Sequence, residues 1–308
     1  MAWLKQVGAS RQLTLSARNL VGRAAHCALR PTDARVSGEH ATIVWTGTAW
    51  EIRDLGSRNG TFVDGERLSP GEPRTLEVGA LLGWGTAEGS WSMAELGPPV
   101  ATAQLLSGSA AVQVAEDGLL ALPSPDEARV TVFEDLRGGW TGEFDGEQRP
   151  VLDGETLSIE GSAWRLSLPI PLEPTLDASV GGGTLAQVQL RVGVSRDEEH
   201  VEVSLGRSGR WENLGARAHH HLILQLARAR LSDQAQAGLS AGEHGWRYAD
   251  DVCRMLAIED LRLNTEIYRA RKELLAAGVQ GASQLVERRR STRSLRLGTA
   301  AVEVVPLA

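Results

Sequence analysis

The stretch DLGSRNGTFVDGERL, residues 54–68, sets a polar loop punctuated by glycine between two stretches of alternating apolar residues. Alternation of that kind has the period of a half-buried strand. Outward from it, QLTLS, ATIVW, WEIRD, RTLEVG and SWSMAEL recur at short intervals, separated by Gly, Pro, Asp and Asn, with no helical periodicity between them. Residues 1–97 therefore read as an all-β sandwich, in which strands supply a scaffold and loops at one end gather residues distant in sequence. The polar residues of those turns are the candidates for a site.

At 308 residues and 42% apolar content, the chain is long enough for two or three domains. Its two cysteines, Cys27 and Cys253, lie far apart and outside any metal-binding spacing, which argues against a disulfide framework or a zinc site. The first residues, MAWLKQVGAS, lack the basic-then-apolar order of a signal peptide. No run approaches the roughly 20 apolar residues of a membrane span, so a soluble, cytoplasmic protein without membrane contact is expected.

The net charge of −7 is spread unevenly. Residues 1–97 balance at 10 basic against 10 acidic, residues 98–185 carry 4 against 14, and residues 186–308 carry 18 against 15. Such asymmetry points to a nucleic-acid-facing portion at the C-terminal end, or to a solvated face. Two seams accompany it, GPPVATAQLLSGSA (97–110) and PIPLEPTLDASVGGGT (169–184), both read as linkers.

Three ordered motifs in the first segment, Gly-Arg in LVGRAAHCALRP, Ser-x-x-His in RVSGEHATIVW and Asn-Gly-Thr in DLGSRNGTFVDGERL, closed by LEVGALLGWG, resemble the forkhead-associated (FHA) domain over nearly all of residues 1–97. The resemblance implies an 11-stranded β-sandwich whose apical loops bind phosphothreonine peptides. Phosphothreonine brings nearly two negative charges and three acceptor oxygens, which suit a guanidinium fork and short hydroxyl or amide donors. By that resemblance Arg23 and Ser37 take the phosphate and Asn59 holds the peptide main chain. Gly60 permits the turn, Thr61 completes the motif, and His40 braces the loops. Gly38 stands where the family often has a basic or polar side chain, so Arg58 and Arg35 are candidates to fill that gap.

The middle segment, 98–168, is acidic and again β-rich. Its VLDGETL (151–157) echoes FVDGERL (62–68), so it reads either as a decayed second FHA-like unit or as an unrelated small β module. None of the three motifs appears in it. Its acidity reads as a solvated face.

After a Pro/Gly linker at 169–185, residues 186–308 show two strand-like stretches, three helices and a basic hairpin. That order resembles the winged-helix DNA-binding domain of OmpR/PhoB-type response regulators, with RLNTEIYRARKEL (262–274) like its recognition helix and LVERRRSTRSLRLG like its wing. Leu263, Ile267, Ala270 and Leu274 make a buried stripe at helical spacing. The resemblance implies that Asn264, Thr265 and Arg269 face bases, whereas Arg271, Lys272 and the wing residues Arg288, Arg289, Arg290 and Arg293 meet phosphates. Arg and Asn are common readers of guanine and adenine edges, and clustered basic residues supply the salt-dependent backbone attraction. Glu266 and Tyr268 depart from the usual pattern.

His219, His220 and His221 project about 100° apart on a helix and cannot all ligate one ion, so no metal or cofactor is expected. Ser37 and His40 lack any nucleophile-elbow pattern, and no catalytic residue is assigned. The expected molecule is multidomain: an FHA sandwich, a small middle β module and an α+β winged helix. It would be a non-enzymatic phosphothreonine reader joined to a DNA-binding regulator, with double-stranded DNA and a threonine-phosphorylated protein, such as a Ser/Thr kinase or its substrate, as partners. Phosphopeptide docking would change how the C-terminal domain is presented. The alternative is a phosphopeptide adaptor whose winged helix docks protein.

Overall fold

A computed structural model of the chain describes residues 1–106, 111–135, 139–169, 183–236 and 238–307. They form two compact units, one built on Met1–Thr102 and the other carrying Ala103–Leu166 together with the C-terminal segment. No described helix is long and apolar enough to cross a membrane.

The first unit holds strands β1 (Ala2–Gln6), β2 (Gln12–Thr14), β3 (Arg18–Val21), β4 (Ala41–Trp45) and β5 (Trp50–Asp54). It continues with β6 (Thr61–Val63), β7 (Glu66–Arg67), β8 (Pro73–Thr75), β9 (Leu81–Trp84) and β10 (Trp91–Leu96). They make a six-stranded sheet, β2-β1-β10-β9-β6-β7, and a four-stranded sheet, β3-β4-β5-β8. Ten strands are formed where the resemblance implied eleven. Alternation does what period 2 requires: Trp50 and Ile52 of β5, and Trp91 and Met93 of β10, turn inward to a shared core with Leu4, Ile43 and Leu82. The β3–β4 loop (22–40) and the β5–β6 loop (55–60) hold the motif residues except Thr61, which opens β6.

The first seam is not a plain linker, because it contains β11 (Thr102–Leu105), flanked and lined by the buried Ala101 and Ala103. The middle segment continues with β12 (Val112–Val114), β13 (Leu119–Leu122), β14 (Val130–Glu134), β15 (Trp140–Phe144), β16 (Glu147–Pro150), β17 (Thr156–Ile159) and β18 (Ser162–Ser167). Its two sheets run β12-β11-β18-β17 and β13-β14-β15-β16. That repeats the strand order β2-β1-β10-β9 and β3-β4-β5-β8 of the first unit, without the β6–β7 hairpin. Even the turn before the penultimate strand is matched. Gly79 N donates to Met93 O at 2.7 Å and Met93 N to Ala80 O at 2.9 Å, while Gly154 N donates to Leu166 O at 3.1 Å and Leu166 N to Glu155 O at 2.8 Å. The echo between VLDGETL and FVDGERL thus joins segments that occupy different places in the two sandwiches. The counterpart of Gly154 is Gly79.

The second proposed linker, 169–185, lies outside the described residues except at its ends. Beyond it come β19 (Gln189–Val194), β20 (Val201–Arg207), β21 (Arg210–Ala216), α1 (His220–Gln234), β22 (Arg247–Tyr248) and α2 (Ala249–Leu256). Then follow α3 (Asp260–Ala276), β23 (Val286–Arg289), β24 (Ser294–Leu297) and β25 (Val302–Pro306). A third strand, β21, precedes the helices, where the sequence showed two strand-like stretches. The last residues leave the hairpin, and β25 pairs parallel with β19. The predicted stripe of α3 holds: Leu263, Ile267, Ala270 and Leu274 are at most 1% exposed and share one core with α1, β19 and β20.

In the first unit, a Cβ on Gly22 would lie 2.1 Å from the carbonyl oxygen of Gly38, where the two ends of the β3–β4 loop meet. Gly22→Ala must push these backbones apart and is expected to destabilise the protein by about 1–3 kcal/mol, the usual cost of overpacking. Gly65→Ala, with open space around it but φ +81°, separates backbone strain from collision when the two are compared by chemical denaturation.

Candidate functional site

The β5–β6 loop is built on one buried carboxylate. Asp54 closes β5 at 1% exposure, and its Oδ2 accepts from the amides of Gly56 (2.9 Å) and Ser57 (3.0 Å). Its Oδ1 accepts from the hydroxyls of Ser57 (2.6 Å) and Thr61 (2.7 Å), and Ser57 Oγ in turn accepts from Gly60 N at 3.0 Å. Gly60 sits at φ +88°, where a Cβ would also strike the Arg67 side chain. The outcome is a rigid loop that presents Arg58 and Asn59 to solvent.

His40 joins this loop to the other. It is fully buried, its Nδ1 accepts from Ser37 N at 3.0 Å, and its Nε2 donates to Gly60 O at 3.1 Å. This is the bracing role the sequence suggested. Ser37 Oγ accepts from Arg58 N at 3.2 Å, Arg23 N donates to Ser37 O at 3.0 Å, and Arg23 Nε donates to Val36 O at 2.6 Å. Asn59 Nδ2 reaches the same loop, donating to Arg35 O at 2.8 Å. Arg23, Ser37, Arg58 and Asn59 are thereby brought together from loops up to 36 positions apart, with the terminal nitrogens of Arg23 and the whole guanidinium of Arg58 unpaired among the described residues.

Two expectations change. Thr61 is fully buried and its hydroxyl is committed to Asp54, so it shapes the loop and cannot touch a peptide. Arg35 is held by Asp33 through a 2.7 Å ion pair, whereas Arg58, whose amide donates to Ser37 Oγ next to Gly38, has no ion pair among the described residues. The gap at Gly38 is open: a Cβ there would meet nothing within 4 Å. The residue that sequence reasoning missed is Asp54. Its signal was the Asp-x-x-Ser-x-x-x-Thr spacing, whose hydroxyls all return to one carboxylate.

The second candidate surface is α3 with its hairpin. Arg271 and Thr265, expected to meet phosphate and bases, are 0% and 2% exposed. Arg271 Nη2 donates to Glu143 of β15 at 3.0 Å and to Val286 O at 2.9 Å, and Arg288 Nε lies 3.1 Å from the other Glu143 oxygen. Arg269 pairs with Asp126 at 3.0 Å, and Lys272 pairs with Glu116. Asn264 accepts from Arg288 at 2.6 Å. Arg289 pairs with Glu243 and stacks on Trp246, and Arg293 pairs with Asp260. The side chain of Arg290 lies outside the described residues. In this arrangement the buried members, Thr265, Arg271 and Arg288, are closed to any duplex.

Burial opposes the ionisation of Glu143, but Arg271, Arg288 and a hydrogen bond from Gln148 outweigh it and hold the carboxyl at about 2. His219 caps the start of α1 and His220 is its first residue, so both reach Glu273 Oε2 of α3, at 2.8 and 2.6 Å, and tie α1 to α3. The ligand-type atoms of these three side chains lie within 4.8 Å of one another.

Acid should loosen the first unit. Burial lowers the His40 pKa below 6.5. Burial alone would raise that of Asp54, but the hydrogen bonds from Ser57, Thr61 and Gly56 bring it below 3.8. Both folded values lie below the unfolded ones, so the unfolded chain takes up protons more readily and stability falls as pH falls. The loss begins near the ordinary histidine value and gains a second limb below that of aspartate. Asp54→Asn is expected to cost about 1–3 kcal/mol at neutral pH, by leaving buried donors mismatched, and to shrink the lower limb in urea titrations across pH.

Residues 19–85 match the FHA domain family. FHA domain-containing protein FhaB of Mycobacterium tuberculosis is 39% identical over 59 residues, 19% of this chain and 38% of that protein. Protein phosphatase 2C 70 of Arabidopsis thaliana is 43% identical over 51 residues, 16% of this chain and 9% of the phosphatase. The matches thus span well under half of either relative. Among solved structures, Mycobacterium tuberculosis EmbR in complex with a low-affinity phosphopeptide is 31% identical, with a TM-score of 0.28, over 30% of this chain and 24% of that one. Sequence motifs, strand framework and family match converge on the same segment, and residues 19–85 carry an FHA domain.

Proposed function

We propose that the protein reads threonine-phosphorylated partners through its FHA domain. The observation that carries this reading is the convergence of Arg23, Ser37, Arg58 and Asn59 on one end of the sandwich, with the terminal nitrogens of Arg23 and the guanidinium of Arg58 unpaired among the described residues. A dianionic phosphate needs charge-assisted donors in that arrangement, and an extended peptide needs an amide that both donates and accepts. Ser37 and the terminal nitrogens of Arg23 take the phosphate oxygens, Arg58 supplies the charge absent at Gly38, and Asn59 holds the peptide backbone. A Ser/Thr kinase or one of its substrates is the partner class.

For the C-terminal domain we infer a winged helix that binds DNA, its recognition helix being α3 and its wing the β23–β24 hairpin. Three helices followed by a basic hairpin support it, as does a core stripe on α3 that leaves Asn264, Arg269 and Lys272 on other faces. The competing reading is an adaptor whose α3 serves only to dock protein. The observation in its favour is that α3 already contacts the middle module through Arg269, Arg271 and Lys272. Gel-shift assays over a range of salt distinguish them, because DNA binding through phosphates weakens steeply as salt rises.

Titration of phosphorylated and unphosphorylated threonine peptides by fluorescence anisotropy tests the first reading. Wild type should bind the phosphorylated peptides and not their unphosphorylated forms, with Arg23→Ala losing at least about tenfold in affinity and Arg58→Ala a smaller factor that grows at low salt. Equal binding of both peptide forms to wild type and Arg23→Ala would overturn the assignment.

A further inference from the structure

The face of α3 turned away from the C-terminal core is neither solvated nor apolar by accident. It lies on the outer face of the middle module's β13-β14-β15-β16 sheet. Register puts Leu119, Ala121, Thr131, Phe133, Thr141 and Glu143 on one side of that sheet, and Leu120, Leu122, Val130, Val132 and Phe144 on the other. Strand β13 is buried throughout and β14 over its first four residues, so neither face of this pair is left to water. Leu119, Ala121, Phe133 and the neighbouring Ala128 form one cluster with Tyr268 of α3, which is 2% exposed, and Leu275 packs against it.

Charge follows the same seam. Residues 262–296 contain nine Lys or Arg, and each of the eight whose side chains are described is paired with a carboxylate. Glu116, Asp126 and Glu143, all from the acidic module, take Lys272, Arg269 and the Arg271–Arg288 couple. Phosphate oxygens would make contacts of the same kind to the same guanidinium and ammonium groups. The two outer pairs, with Asp126 89% and Glu116 53% exposed, are cheap to exchange, whereas the Glu143 pairs are closed to water.

We infer that the acidic sheet of the middle module and the phosphate backbone of duplex DNA compete for one face of α3, so that the chain shields its own recognition helix until the module moves off it. Tyr268 and Glu266, the two departures from a recognition-helix pattern, fit this arrangement. Tyr268 fills the sheet's apolar patch, and Glu266 pairs with Arg262 and Arg269 on the same helix. The inference rests on the DNA-binding reading above, and the two fail in different ways.

The test uses the full-length chain, a labelled mixed-sequence DNA duplex at low salt, and hydrogen exchange of the α3 backbone. Glu116→Gln/Asp126→Asn removes only the exposed pairs and leaves the cores intact. Glu143→Gln strikes the enclosed pairs. In the double variant DNA affinity should rise by about tenfold and α3 exchange should quicken, as freeing a covered state requires. Glu143→Gln should exceed it on both readouts, and adding Arg269→Ala/Lys272→Ala should erase the gain. Duplex added to wild type should quicken exchange in β13 and β14. A wild type that binds as tightly as the variants, and loses that binding with Arg269→Ala/Lys272→Ala, would overturn the shield and leave DNA binding standing. Faster α3 exchange in the variants without any binding would overturn the DNA reading and the competition together.

Discussion

One carboxylate between two guanidinium groups sets how the second unit is assembled. Glu143 stands on the outer face of β15, and the cations that neutralise it come from α3 and from β23. Two buried arginines against one buried glutamate leave a net positive charge, and Arg271 Nε and Nη1 have no hydrogen-bond partner among the described residues. A seam of this kind is worth little as raw stability, because desolvation of the ions offsets most of their attraction. What it fixes is register. Leucine or phenylalanine patches can slide over one another, but a buried ion triad tolerates only the placement in which the charges meet. The aliphatic and aromatic contacts around Tyr268 then close over that placement.

The first unit was largely legible in the sequence because its signals are local. Strand alternation, turn glycines and three short motifs fix the sandwich, and the bracing by His40 follows from them. The buried stripe of α3 was equally plain, since helical spacing alone selects it. What stayed hidden depends on partners distant in the chain. Asp54 reads as an ordinary strand-end aspartate until Ser57, Gly60 and Thr61 are folded around it. The acidity of residues 98–185 reads as a solvated face, because nothing local says that Glu116, Asp126 and Glu143 meet residues more than 120 positions later. The same blindness assigned Arg271 to phosphate, since an arginine on the outer face of a helix looks exposed until the neighbouring module is in place.

Two sandwiches of one strand order thus serve opposite ends. In the first, the β5–β6 loop adds the polar residues that gather against the β3–β4 loop, and the candidate site sits at the tips of the strands. In the second, that insertion is missing, the described strand tips carry no such cluster, and the outer face of the sheet is the contact surface for α3. Two sequence differences accompany this: residues 55–72 separate β5 from β8 where only 145–146 separate β15 from β16, and apolar side chains such as Leu119 and Phe133 take the outward positions of two strands.

The open position at Gly38 bears on how this receptor could be adjusted. The carbonyl of Gly38 is pinned against Gly22 and accepts from Ala24 N, so the backbone there is committed. The space where its side chain would stand is vacant and its φ is not one that only glycine tolerates. Under the phosphopeptide reading proposed above, a side chain introduced at that single codon would raise or lower the capture of phosphate while the packing of the sandwich stayed as it is.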